Sequence, residues 1–251
     1  MTSQSAVFMA GSSRFGDAPS VFSSLAEAEV DTVVYRRALD PALALALDDA
    51  AQGWIAPASR VLDPSQRSLP EALASLVANA PSSVRGALVE DVARCLQWLS
   101  SAAGARPVLA TLGSVIGDEC ARFHQDFVRV RLLVTYAGPG TVLVHRSAVD
   151  RHALAHPVAC EHEANRAIVR DPRGVTSAAR GDVVLLKGGA WPSIAHGAVH
   201  RSPSVRRAED RRVVLALTQV ADERTLAARP VLARTDSGHS VLMYSDHSLL
   251  T

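Results

Sequence analysis

Between Ser23 and about Ile116, apolar residues recur mainly at helical spacing. The clearest stretch is 84–103, where Leu88, Val92, Cys95, Leu96 and Leu99 fall three or four residues apart and make one apolar stripe. Gly104 stands where such a helix would stop. An Ala/Leu-rich run between Asp40 and Trp54, with Leu43, Leu45 and Leu47, suits a helix better than a strand. Ser68-Leu69-Pro70-Glu71 has the spacing of a capping box, with proline in the first turn, and opens a helix carrying Leu73, Leu76 and Val77. After Gly117 the pattern changes. Residues 128–136 are β-branched and partly alternating, and the run is stopped by Ala137-Gly138-Pro139-Gly140. Residues 141–145, 183–187 (behind Gly181-Asp182) and 212–220 predict further strands. The expectation is an α+β protein: a loose segment 1–22, then a single domain 23–251. In that domain a helical half, 23–116, packs on a mainly β core, 117–251, of sandwich or jelly-roll type.

Composition narrows the picture only modestly. With 26 basic and 25 acidic residues the formal charge is +1, which gives no electrostatic commitment to nucleic acid or to an anionic membrane. Cys95, Cys120 and Cys160 are odd in number and widely spaced, unlike a disulfide framework, so a reducing, cytoplasmic setting is expected. The first 19 residues lack a basic region followed by an apolar one, and no run approaches the ~18 apolar residues of a membrane span. The oligomeric state is not legible.

The candidate chemistry begins at His124-Gln125-Asp126. Residues i and i+2 of an extended chain point to one side, so an imidazole and a carboxylate can converge on one ion. Nine histidines make a chance H-x-D common, so a third ligand is needed from elsewhere. His200, in Gly197-Ala198-Val199-His200-Arg201-Ser202-Pro203, is the candidate, with His196 as the alternative. Two histidines and a carboxylate on one face of a metal leave three positions open, an arrangement suited to iron(II). Arg211 and Arg212 follow about a dozen residues later.

This order resembles the iron(II)/2-oxoglutarate-dependent dioxygenase superfamily, and His-Gln-Asp itself is similar to its phytanoyl-CoA hydroxylase branch. The resemblance implies a double-stranded β-helix jelly roll, with iron on His124, Asp126 and His200 as the catalytic set. It also implies 2-oxoglutarate as co-substrate, its far carboxylate gripped by Arg212 or Arg211. More narrowly, 120–126, 135–141 and 200–203 resemble a bacterial family known only as a domain of unknown function. Strand parity favours Arg212: it shares a face with Val214, Ala216 and Thr218, whereas Arg211 shares one with Val213, Leu215 and Leu217, which suits packing against helices.

Tyr136 shares parity with His124 and Asp126 if the strand runs on without a bulge, which would place its hydroxyl near a bound carboxylate. Arg129 and Arg131 fall on the opposite parity, where salt bridging or exposure is expected. Lys187 ends an apolar strand, to snorkel or to meet an anion. Gly138-Pro139-Gly140 lacks the lysine and helix start of a phosphate loop and reads as a tight turn. Phe123 and Trp191 are candidates for either pocket lining or packing. His152, His156, Cys160 and His162 form a separate group that reads as a solvated loop rather than a zinc site. The expected function is hydroxylation of a small-molecule or peptide substrate. The alternatives are a non-catalytic zinc-binding or metal-homeostasis protein and a cupin-type metal-dependent hydrolase or isomerase.

Overall fold

The computed structural model describes residues 11–52, 55–115, 120–192, 194–204, 211–220, 230–234 and 240–244. Strand β1 (Ser13–Gly16) and a 3-10 helix (Pro19–Ala26) lie where the sequence predicts a loose segment. β1 pairs in parallel with β2 (Thr32–Tyr35), and Phe22 and Leu25 of the 3-10 helix are buried. The short amphipathic pattern of this stretch is stabilised by contacts far away in sequence, which local periodicity does not report.

Helix α1 (Pro41–Gln52) starts as the sequence suggests, with Asp40 accepting from the backbone N–H groups of Ala42 and Leu43. Its Leu43 and Leu47 are buried, one turn apart, while Leu45 is exposed. β3 (Ala58–Leu62) and α2 (Leu69–Leu76) follow. Ser68 occupies the N-cap of α2, but its hydroxyl makes no capping bond, so the expected capping box does not form. α3 (Ser82–Ala103) buries the whole predicted stripe, and Gly104 ends it at φ 86°, a conformation that favours glycine.

The remaining strands are β4 (Val108–Val115), β5 (His124–Gln125), β6 (Val130–Ala137), β7 (Val142–Val144), β8 (Val175–Ser177), β9 (Val183–Lys187), β10 (Val199–Arg201) and β11 (Arg212–Gln219). Two short helices, α4 (Arg151–Ala155) and α5 (Glu161–Ile168), lie between β7 and β8. A terminal hairpin pairs β12 (Pro230–Arg234) with β13 (Ser240–Tyr244). The large sheet has the order β1-β2-β9-β6-β11-β4-β3 and the small one β5-β10-β7-β8. Between β4 and β11 the chain places four strands in each sheet, and every pairing among those eight is antiparallel. This is the jelly roll expected from the sequence, inside a mixed α+β fold dominated by sheets. The predicted boundary at 117 does not separate helices from strands. β4 is one of the eight jelly-roll strands, and β2 and β3 extend the large sheet on either side.

Parity along each strand then sorts the core into layers. Val130, Leu132 and Val134 of β6, Val213, Leu215 and Leu217 of β11, and Val183 and Leu185 of β9 pack with helices α1–α3 on the outer face of the large sheet. Val142, Val144 and Val199 pack with Ala153 and Leu154 of α4 and Ile168 of α5 outside the small sheet. Between the sheets, Val34, Leu143, Val184 and Leu186 close one part of the interior. Other inward positions, among them Thr111, Arg131, Val214 and Ala216, are only half-buried, so part of the inter-sheet space is open. No helix among the described residues is long and apolar enough to cross a membrane.

Candidate metal centre

Register explains how three distant residues meet. In the antiparallel pairing of β10 with β5, His200 sits directly opposite His124, so both imidazoles leave the sheet on one face. Their ring centroids are 4.5 Å apart. Asp126, two residues beyond His124, returns to the same side. Its Oδ1 lies 3.6 Å from His124 Nε2 and its Oδ2 3.4 Å from His200 Nε2. One ligand atom from each residue can be chosen so that all lie within 4.8 Å of one another. The third candidate, His196, is exposed and lies outside this group; it lines a cleft beside His124 instead.

The donor set fits a cation. Ligand distances near ~2.1 Å with ligands at right angles set donor atoms ~3 Å apart, close to the separations seen here. Asp126 Oδ2 is buried, ion-paired with Arg131 Nη1 at 2.9 Å and facing the His200 imidazole at 3.4 Å. His124 Nδ1–H donates to the carbonyl oxygen of Arg122 at 2.9 Å, which leaves the lone pair on Nε2, the nitrogen nearer Asp126. Burial pushes the His200 pKa down to about 4, only partly offset by the Asp126 charge, so the imidazole is neutral and able to ligate. Burial alone would raise the Asp126 pKa, but Arg131 and the two histidines hold it below the ordinary carboxylate value.

Arg212 opens β11 on the inner face and is 4% exposed. Its Nε donates to the Pro139 carbonyl (2.8 Å), Nη1 to Ser202 Oγ (3.1 Å) and Nη2 to Thr135 Oγ1 (3.4 Å). All three acceptors are neutral, and burial lowers its pKa to about 10. Ser202, which accepts from the guanidinium, follows His200 by only two residues. The backbone N–H of Ser202 donates to the carbonyl of Cys120 (3.0 Å), and Cys120 holds a left-handed φ of 58°. Arg211 precedes the strand and is half-buried.

Tyr136 does not reach this space. It is fully buried on the helix side of the large sheet, where its hydroxyl donates to Asp91 Oδ2 of α3 at 2.8 Å. Asp91 is in turn held by a bidentate pair with Arg37, at 2.6 and 2.8 Å. The expected parity fails because β5 ends at Gln125 and the chain crosses between sheets through 126–129 before β6 begins. The alternation therefore restarts, and Arg131, Leu133 and Thr135 face inward instead. Ala137 pairs with Val213 while Thr135 pairs with Val214, a bulge that takes up Tyr136.

Arg131, for which the sequence leaves salt bridging or exposure open, pairs with Asp126, and its Nε donates to Thr218 Oγ1 at 3.2 Å. A charged residue recurring inside an apolar strand was the available signal. Lys187 is buried, donates to the Glu27 carbonyl (2.8 Å) and lies over the Trp191 ring, as does Arg129. Trp191 therefore packs at the margin of the helical core, whereas Phe123 lines the cleft at His124. His152, His156 and Cys160 are exposed, as is His162, and they belong to α4, α5 and their junction rather than a loop. They do not converge on a metal-sized group; among the described residues only His124, Asp126 and His200 do.

The family described as a protein of unknown function (DUF1826) matches residues 16–218. No match is found among curated proteins. Similar solved structures include prolyl 4-hydroxylases from Phytophthora capsici, at 13% identity and TM-score 0.42, covering 88% of this chain and 68% of that one. A prolyl-4-hydroxylase of Pseudomonas putida has 12% identity and TM-score 0.39, covering 80% and 97%. The Fe(II)/(alpha)ketoglutarate-dependent dioxygenase TqaL has 14% identity and TM-score 0.39, covering 81% and 90%.

Proposed function

The chain belongs to the DUF1826 family of unknown function, and we propose that it is a non-haem iron(II) oxygenase that uses 2-oxoglutarate to hydroxylate an organic substrate. The observation that carries this reading is the pairing of the His124–Asp126–His200 group with the buried Arg212 inside the same inter-sheet space. Two imidazoles and one carboxylate on one face are the donor set of oxygen-activating iron(II) sites. A metal store needs no buried guanidinium beside it, whereas a dicarboxylate co-substrate needs a cationic anchor away from the metal.

In this reading His124, Asp126 and His200 would hold the iron, and the bound iron would supply the chemistry by which dioxygen oxidises 2-oxoglutarate, with loss of carbon dioxide, and hydroxylates the substrate. Arg212 receives the far carboxylate through its guanidinium, with Thr135 and Ser202 keeping that fork oriented. Arg131 keeps Asp126 ionised and aimed. The neutral state of His200 leaves its nitrogen ready to ligate without first losing a proton.

The test is anaerobic reconstitution with iron(II), titration with 2-oxoglutarate, then measurement of succinate on admitting oxygen. The expected results are one iron per chain, a visible charge-transfer band and slow succinate formation. Asp126→Ala is expected to lose most of its metal. Stoichiometric iron in that variant would refute the ligand assignment, and tight zinc with no consumption of 2-oxoglutarate would refute the oxygenase.

A further inference from the structure

The middle residue of His-Gln-Asp points away from the metal ligands. Gln125 pairs across the strands with Val199, whose side chain belongs to the apolar cluster outside the small sheet. There the Gln125 Oε1 accepts from Arg151 Nη1 at 3.3 Å. Gly189 lies against the other side of the amide: a Cβ on Gly189 would come within 2.6 Å of Gln125 Nε2. Arg151 is the first residue of α4, and Asp150 caps that helix by accepting from the N–H groups of His152 and Ala153. The Arg151 Nη2 is buried and makes no hydrogen bond among the described residues. Asp31, the acidic charge that acts on Arg151, is already engaged by Arg146 Nε at 3.1 Å.

Gln125 and Arg151 line a cleft of about 360 Å³ between α4 and the edge strand β5, with His124 at one side. Phe123, Leu154 and Pro157 contribute apolar wall. A small concave site with an apolar wall and a few convergent polar groups is the usual form of a small-molecule pocket. Arg122, Arg151 and His196 give this wall a basic character, and a guanidinium matches a carboxylate or a phosphate.

We propose that this cleft binds an organic anion, a carboxylate or phosphate on a small apolar body, with Arg151 gripping the anion and Gln125 orienting the guanidinium. The inference rests on the oxygenase reading in one respect: there, the molecule is the substrate, held with its apolar body beside the His124 side of the metal centre. Arg151 then determines specificity, and Gln125 links the metal motif to substrate choice.

The test is calorimetric titration of the full-length protein with benzoate, phenyl phosphate and the neutral benzamide. At least one anionic probe is expected to bind ten or more times tighter than benzamide, and the stronger of the two identifies carboxylate or phosphate as the preferred group. Arg151→Gln is expected to abolish the preference, Arg151→Lys to retain part of it, and Gln125→Ala to weaken it severalfold. Arg212→Met is expected to leave it intact, which separates this cleft from the co-substrate anchor. Equal binding of benzamide and both anions, or an undiminished preference in Arg151→Gln, would overturn the proposal. If iron and 2-oxoglutarate fail to bind while the Arg151-dependent preference persists, the oxygenase reading falls and the anion cleft stands. The opposite pattern removes the cleft alone.

Discussion

Arg212 offers the sharpest test of the site, because stability and ligand binding respond to it in different ways. Its guanidinium is 4% exposed and, among the described residues, bonded only to neutral oxygens, and burial lowers its pKa from the ordinary arginine value to about 10. A depression of that size corresponds to ~3 kcal/mol of unfavourable burial of the charge. The three hydrogen bonds return ~0.5–1.5 kcal/mol each, so the two contributions nearly cancel. Arg212→Met is therefore expected to change unfolding free energy by less than ~2 kcal/mol, in contrast to the ~3–5 kcal/mol seen when one partner of a buried ion pair is removed. Its effect on 2-oxoglutarate should be much larger. Truncating one side of a buried charge pair costs ~2–5 kcal/mol, which is a loss of at least ~30-fold in affinity. The measurements are urea unfolding of the metal-free protein and anaerobic calorimetry of the iron(II) form with 2-oxoglutarate, with Arg212→Lys as the variant that keeps charge but not the fork. A dissociation constant for Arg212→Met within threefold of wild type, with iron still bound, would refute Arg212 as the co-substrate anchor.

Further outcomes follow from the same geometry. Tyr136→Phe removes a buried hydroxyl from the ionised Asp91, so urea unfolding should show ~1.5–3 kcal/mol of destabilisation while 2-oxoglutarate affinity stays at the wild-type level; a selective loss of that affinity would return Tyr136 to the site. For His200 the folded pKa, about 4, lies below the ordinary 6.5, so the unfolded chain binds the extra proton first. Stability of the metal-free protein should therefore be intact above pH 6.5 and fall as pH drops toward 4, by ~3 kcal/mol in total. The depressed pKa of Asp126 acts in the same direction at the acid end, its stabilisation being lost as the carboxylate protonates. His200→Gln should flatten the decline between pH 6.5 and 4 in urea titrations, and an unchanged slope would show that another group titrates there.

Much of the element pattern was legible because it depends on neighbours along the chain. The period of three to four residues in 84–103 requires only that one helix face be apolar, and α3 buries that stripe. The alternation in 212–220 likewise separates Arg212 from Val213, since opposite faces of a strand are set by the backbone itself. The H-x-D spacing belongs to the same class of information. Other features depended on pairings between distant segments. Residues 13–16 became a strand because β2 offered an edge, and His200 rather than His196 joined the candidate ligand group because β10 pairs with β5 in the register that sets His200 opposite His124. Tyr136 and Arg131 exchanged faces relative to expectation where the chain passes from the small sheet to the large one at 126–129. Such a crossing resets side-chain parity, and nothing in the local hydrophobic pattern marks the residue at which it occurs. By itself the sequence determined which residues have the chemistry to bind metal and carboxylate. Only the tertiary structure decided which of them share one space, because cross-strand register and sheet crossover are properties of contacts that the linear pattern does not contain.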